Sequence, residues 1–331
     1  MIKNRPYQIY AMGNALVDIE YTIDESMLSK VGLQKSLMTL VDEETQKKMQ
    51  ENLPEPKKRK GGGSAANTAI AFAQLGGNPV FAGKVASDDN GQFYLKDLEK
   101  NGVKLHVDFS KIPSGITGKC VVLVTPDAER TMGTFLGMSA QFSEAEINWE
   151  YLAQAEYLYI EGYLLCTELG TKAVLKAMNF ARKNAIKIAL TCSDPGVVQY
   201  FRTNFNQVLS EPIDLLFCNK EEALALAETT DLETAKKMIK RKTKNCVITM
   251  GAEGAYLDID GMIHLEPAKV TKVIDANGAG DSFAGGYFYG HFQNWTISQR
   301  AKLACTVASA VVSQYGPRLE QEKMQMILKD F

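Results

Sequence analysis

The chain has 331 residues, of which 45% are hydrophobic and 23% charged, with a formal net charge of −2. That length supports one large domain, or a large domain with a small appendage, and the near-neutral charge gives no electrostatic case for nucleic acid or an anionic membrane. No apolar run reaches the ~18 residues of a membrane span, and the opening MIKNRPYQIYAMGNALVD lacks the apolar stretch of a secretion signal, so a cytoplasmic protein is expected.

In chain order, YQIYAMGNALVDIEYTI reads as a strand, a Gly13-Asn14 turn, and an alternating strand over 15–23; SLMTLVD (36–42) reads as a second short strand. PEPKKRKGGGS reads as a solvated loop, with Pro54, Pro56 and a basic run from Lys57 to Lys60. Such a run is also found in nuclear-localisation and nucleic-acid patches, but this one is isolated and followed by glycines. SAANTAIAFAQLGG predicts a helix with Ser64 as N-cap and Gly76-Gly77 as its stop. PVFAGKVA is a strand, and NGQFYLKDLEKNG a helix closed by Gly102. Between 103 and 136 the helices lapse, and GKCVVLVTP and ERTMGTFL read as a hairpin around Pro126-Asp127.

From residue 150 strand and helix alternate. AEYLYIEG, IKIALTCSD, IDLLFCN and KNCVITMG are strands. ELGTKAVLKAMNFARKNA, VVQYFRTNFNQVLSE, KEEALALAE and LETAKKMIKRK are the intervening helices. Nearly continuous apolar strands are the mark of a parallel sheet covered on both faces. The rhythm predicts an α/β fold, a doubly wound, mostly parallel sheet flanked by helices. A hairpin-like GAYLDIDGMIHLEP then leads to two helices, DSFAGGYFYGHF and TISQRAKLACTVASAVVSQYG, the second ended by Gly316 and Pro317. The β segments at about 15–23, 36–42 and 104–136 break the rhythm and are assigned to a small separate sheet within a single domain spanning 1–331. Six cysteines are scattered without a CxxC pair, and three histidines (His106, His264, His291) lie far from any ligand cluster. Reduced cysteines packed as small hydrophobes are expected, rather than a zinc site or a histidine triad.

The chemistry concentrates in DANGAGDSFAGG, residues 275–286. If a loop becomes a helix here, residues 278–281 present unpaired amides and a positive dipole end, and Gly278, Ala279 and Gly280 carry almost no side chain to keep a phosphate away. Asp281 beside such an anion suits a general base for an attacking hydroxyl. Alone, the same residues read equally as an ordinary capped helix start; no Walker A or Rossmann fingerprint is present. Three further stretches add to it. GGGSAANTAIAFAQLGG runs a glycine loop (Gly62, Gly63) into a helix with Asn67 in its first turn. GNALVD places Asp18 four residues after Asn14, and NKEE places Asn219 and Glu222 on one face of a helical turn.

Taken in order, these stretches resemble the ribokinase-like (PfkB) carbohydrate kinase family over essentially the whole chain. The resemblance implies an α/β kinase domain with a small β-sheet lid, ATP and Mg²⁺ as cofactors, and a nucleoside or sugar acceptor. It implies Asp281 as catalytic base, the amides of Gly278, Ala279 and Gly280 as anion hole, and Asn14, Asp18, Gly62, Gly63 and Asn67 holding substrate hydroxyls. Asn219 and Glu222 are implied in the magnesium shell through water. Thr249, Gly251, Gly254 and Asn277 are implied around the nucleotide, with Ala304 and Ala308 at the adenine. Asp275 is implied at an optional potassium site, where Asn277 replaces a common threonine.

Within the family, GNALVDI, the NGAGD form of the signature, and ERTMGTFLGMSAQF resemble adenosine kinases more than ribokinases. This implies Arg130 near the transferring phosphate, Tyr163 or Leu164 at a purine base, and Phe135 and Leu136 as lid-side apolar contacts. The expected activity is transfer of the γ-phosphoryl of ATP to the 5'-hydroxyl of adenosine. A sugar kinase is the alternative, and a non-catalytic nucleoside or nucleotide sensor the more distant one. Departures at Tyr163-Leu164 and GGGSAAN bear on the base pocket rather than on the transfer chemistry. A monomer or a homodimer through the lid is compatible with an exposed sheet edge.

Overall fold

The computed structural model describes residues 5–35, 38–105, 111–126, 129–269 and 271–331. Fourteen strands are present among them: Tyr7–Met12 (β1), Leu16–Thr22 (β2), Met38–Leu40 (β3), Lys58–Gly62 (β4), Pro79–Ala82 (β5), Lys104–Leu105 (β6), Thr117–Val124 (β7), Arg130–Gly137 (β8), Ala155–Glu161 (β9), Lys187–Thr191 (β10), Ile213–Asn219 (β11), Thr243–Thr249 (β12), Ala255–Ile259 (β13) and Met262–Glu266 (β14).

The larger sheet has nine of them in the order β14-β13-β12-β11-β10-β9-β1-β5-β6, parallel from β12 to β6 and closed at one edge by the antiparallel hairpin β13-β14. Its central strands are buried on both faces, as their continuous apolar runs require. The chain fills the sheet outward from β1, first toward β5 and β6, then from β9 through β12 on the other side. The β1/β9 boundary is therefore the topological switch point, where ligands bind beyond the strands' carboxyl ends in open α/β sheets.

The smaller sheet runs β3-β8-β7-β2-β4. In register, Asp18 pairs with Cys120 and Cys120 with Thr134, so these three side chains share one face. The opposite face is covered by helices Glu25–Val31 and Glu43–Glu51: a Cβ on Gly133 would lie 2.6 Å from Met49 Cε.

The structure corrects several expectations. The basic stretch read as a loop is the edge strand β4, antiparallel to β2; its lysines sit where charges protect a sheet edge. Lys104–Leu105 pairs with β5 in the main sheet, not with the lid. The hairpin is β7-β8, with Asp127 of its turn outside the described residues. Ser36, Leu37 and the segment 106–110, with His106, also lie outside them. Ser64 is the first helical residue of Ser64–Gln74, whose N-cap is Gly63. The predicted helix after β10 is two, Pro195–Tyr200 and Arg202–Leu209. All six cysteines are free thiols and five are buried.

Candidate active site

Two helices meet over the switch point because their facing residues are small. A Cβ on Gly285 would lie 2.7 Å from Ala71 Cβ, so helix Ala279–Phe292 can approach helix Ser64–Gln74 only with glycine there. Gly286 plays the same part toward helix Ile297–Val312, where a Cβ would lie 3.0 Å from Ala304 Cα. The paired glycines after Asp281 are thus packing residues, and the approach they permit sets Asp281 against the first turn of the other helix. Ser64 Oγ donates to Asp281 Oδ1 at 2.6 Å and Asn67 Nδ2 to Oδ2 at 3.0 Å. Burial pushes Asp281 up to about 6, while those two hydrogen bonds and the charge of Arg318 pull it down. The outcome is a carboxylate that is ionised at neutral pH and a stronger base than a free aspartate.

Gly278 caps this helix at φ +74°, and a Cβ there would lie 2.3 Å from Pro317 O. Ser282 N donates to Gly278 O and Ala279 N to Ala276 O at 3.3 Å. Among the described residues the donors left at the helix start are therefore the amides of Gly280 and Asp281, where those of Gly278, Ala279 and Gly280 were expected from the sequence.

On the acceptor side, β1 ends at Gly13-Asn14 and β9 at Glu161. Glu161, 1% exposed, accepts from Asn14 N at 3.2 Å and Ala65 N at 2.8 Å, clamping the loop after β1 to the first turn of helix Ser64–Gln74. Gly63 is at φ +97°, and a Cβ would meet Asn14 O at 2.2 Å; one on Gly62 would meet Asp18 Oδ1 at 2.6 Å. Asp18 is half-buried on the inner face of the lid. Burial pushes it up to about 6, with the charges of Arg318 and Arg130 opposing. Asn14, Asp18, Gly62, Gly63, Asn67 and Asp281 are therefore brought together as the sequence suggested.

On the other side of the anion hole lies a cleft of about 470 Å³ lined by Thr249, Gly251, Gly254, Ala279, Gly280 and Ala308, with Cys305 and Ser309. Ala304 is fully buried against Gly286 and does not reach it; adjacent Cys305 takes its place, one residue round the helix. Small residues and a flat apolar wall fit an adenine nucleotide. Asn219 and Glu222 form a capping box at the start of helix Lys220–Ala227: Asn219 Oδ1 accepts from Glu222 N at 2.7 Å, and Glu222 accepts from Asn219 N and Nδ2 at 2.9 Å each. Burial raises Glu222 to about 7, and the carboxylates of Asp194 and Asp281 add to the rise. No group of three metal-ligating side chains stands among the described residues, and the Asn219 amide and Glu222 carboxylate are oxygen donors of the kind Mg²⁺ takes when phosphates and water complete its shell.

Asp275 is placed differently. Its carboxylate accepts from Asn277 N at 3.0 Å and Gly316 N at 2.7 Å, and pairs with Arg130 Nη1 at 3.0 Å. A guanidinium already neutralises it, so these residues do not fit a potassium ion. Arg130 also binds Glu20 at 2.8 Å. It therefore ties the lid to the body rather than reaching into the anion hole. The cavity beside it, lined by Asp18, Glu20, Val122, Arg130 and Tyr315 among others, holds about 50 Å³.

Two expected base contacts are turned away. β8 alternates, and Phe135 shares the Gly133 face that packs on Met49, while Leu136 shares the inner face with Thr134 and Arg130. Leu164 is 2% exposed within the core between β9, β10 and their helices. Tyr163, partly buried, packs against the same core; burial raises its phenol well above the ordinary value, and Asp194, Glu161, Asp281 and Glu222 contribute. Glu161, Asp194 and Arg318 were not singled out from the sequence. A glutamate closing the otherwise apolar run of β9 was the available signal for the first.

The family profile described as "pfkB family carbohydrate kinase" matches residues 28–324. The adenosine kinase of Saccharomyces cerevisiae is 28% identical over 339 residues, covering 96% of this chain and 98% of that protein. The 5-dehydro-2-deoxygluconokinase 1 of Bacillus cereus is 27% identical over 335 residues, covering 95% and 91%. The crystal structure of adenosine kinase from Sinorhizobium meliloti superposes with a TM-score of 0.88 at 30% identity, covering 97% of this chain and 99% of that one. The ribokinase-like fold with two sheets is shared.

Proposed function

The chain belongs to the PfkB family of carbohydrate kinases, phosphotransferases with an alcohol acceptor, and we propose that its acceptor is the 5'-hydroxyl of adenosine. The observation that carries this reading is the position of Asp281. It stands between the hydroxyl-binding set of Asp18, Gly63 and Asn67 and the helix start that opens on the nucleotide cleft. Asp18 and Asn67 supply acceptor and donor for a vicinal diol. That anchors a ribose with its primary hydroxyl toward Asp281, which takes the proton as the hydroxyl attacks the γ-phosphoryl in line.

The amides of Gly280 and Asp281 receive the charge of the transferred group. Asn219 and Glu222 would hold Mg²⁺, which when bound would supply charge neutralisation on the phosphates. Tyr163 from the body and Leu136 from the lid form the apolar contacts for a purine. Closure of the lid, which Arg130 ties to the body through Asp275, excludes water from the reaction.

Adenosine is favoured by the relatives that carry that activity, in yeast and in Sinorhizobium meliloti. The gluconokinase relative makes a sugar acid or free sugar the second reading. A coupled ADP-release assay with Mg-ATP against adenosine, inosine, guanosine, cytidine, ribose, fructose and 5-dehydro-2-deoxygluconate separates them. Turnover concentrated on adenosine supports the proposal. Turnover on a free sugar or the sugar acid keeps Asp281 as base and removes the nucleoside. Silence across the panel favours a binding protein.

A further inference from the structure

Arg318 sits where the chain leaves Gly316-Pro317, 8% exposed and far from Asp281 in sequence. Its Nε donates to Asn67 Oδ1 at 2.8 Å, and its Nη1 donates to Asp97 Oδ2 at 2.8 Å on helix Asp89–Lys100. Its Nη2 is buried without a hydrogen-bond partner among the described residues, 3.1 Å from where a Cβ on Gly61 would lie. A buried cation with a donor unmatched is costly, so core stability alone is a poor account of this side chain.

The orientation of Asn67 is a better one. A carboxamide has a donating and an accepting end, and its two flips are close in shape. A guanidinium has donors only. Once Arg318 Nε faces the Asn67 side chain, the oxygen must take that position and Nδ2 must face the other way, toward Asp281 Oδ2 at 3.0 Å. In the opposite flip the amide oxygen would confront the carboxylate. Asp97 anchors Arg318 from behind, completing a line Asp97–Arg318–Asn67–Asp281 that crosses three helices' worth of chain.

We propose that Arg318 is a positioning residue for phosphoryl transfer, locking the Asn67 amide in the flip that donates to Asp281 and so aiming the base at the acceptor hydroxyl. This rests on the reading of Asp281 as base. Arg318 touches neither acceptor nor nucleotide in this role; it acts through Asn67. Its positive charge also favours the ionised form of Asp281.

The test compares wild type, R318M, R318K, N67A and the double variant N67A/R318M. Two readouts are followed: steady-state kinetics over pH, and the titration of the Asp281 carboxyl by ¹³C-aspartate NMR, assigned by its disappearance in D281N. R318M is expected to lose about 10- to 100-fold in kcat, the scale of a misplaced reacting group, and its Asp281 titration moves to higher pH. KM for ATP stays within about twofold, because the nucleotide cleft lies on the other side of the anion hole. R318K keeps the charge without the fork, so kcat falls while the titration stays nearly in place; it also carries the test if R318M does not fold. The double variant should be no slower than about twofold below N67A, since both act through one amide. An unmoved Asp281 titration in R318M, or losses that multiply in the double variant, overturns the proposal. Absence of turnover in the wild type refutes the kinase reading instead, and the titration still decides whether Arg318 governs Asp281.

Discussion

Ser64→Ala removes one donor from Asp281 and almost nothing else. The backbone amide of Ser64 still faces Glu161, alanine favours the helix start, and the lost contact is the 2.6 Å bond from Ser64 Oγ to Asp281 Oδ1. A hydrogen bond to a charged group is worth about 1.5–3 kcal/mol. The lower figure corresponds to about one pKa unit. The bond favours the carboxylate, so its loss favours the protonated form and moves Asp281 upward from about 6, to about 7 by the conversion just given. Only the ionised form serves as base, so the acid limb of kcat/KM moves up by about one unit. At pH 6.5 the ionised fraction falls about threefold, and above pH 8.5 the variant approaches wild type. Adenosine-dependent ADP release, followed from pH 5.5 to 9 at saturating Mg-ATP, measures this. An acid limb that does not move, or a loss equal at every pH, would refute the assignment of Asp281 as a base tuned by Ser64.

Four other changes have definite expected outcomes. Asp281→Asn should cost about 10²–10⁴ in kcat with acceptor binding by calorimetry little changed; retention of turnover would remove Asp281 from the chemistry. Leu136→Ala should raise KM for adenosine, while Phe135→Ala, on the other face of β8, should lower the melting temperature and leave KM alone; the reverse pattern would contradict the register. Gly63→Ala forces a side chain to φ +97° with Cβ 2.2 Å from Asn14 O. It should cost at least about 1–2 kcal/mol in stability and raise the acceptor KM about tenfold, and an unchanged acceptor KM would show that the loop does not bind it. Asn219→Ala should lower stability by about 1 kcal/mol through the lost cap, whereas Glu222→Gln should mainly raise the Mg²⁺ concentration needed for half-maximal rate, and an unaltered Mg²⁺ dependence would exclude Glu222 from the metal shell.

Much of the molecule was legible in the sequence because its determinants are local. Apolar runs of five to seven residues closed by short helices dictate a parallel sheet, since such strands need cover on both faces. The small residues of GAGD mark a helix start that can hold an anion, and the stretches GGGSAAN, GNALVD and NKEE separate that reading from an ordinary cap. The placement of Asn219 and Glu222 on one face of a single turn was readable at that range, and the structure makes the pair a capping box. β4 was missed because KRKGG has neither apolar content nor alternation; it is a strand only because β2 offers it an edge.

The faces of β8 were beyond reach for a related reason. TMGTFLG is mixed on both sides, so its alternation carries no mark of which side looks inward, and a slip of one residue exchanges Phe135 for Leu136. Packing of Gly133 on Met49 settles that phase. The Arg318–Asn67, Arg130–Asp275 and Glu161–Asn14 contacts were hidden for a plainer reason. Each joins residues more than a hundred positions apart, and a polar side chain's partner is set by which surfaces the folded sheet and lid bring together. The residue types that do chemistry here follow from the chain itself, through turns, caps and periods a few residues long. Their aim, their charge state and the closure of the lid over them come from the tertiary structure, because burial and long-range pairing exist only once the two sheets have met.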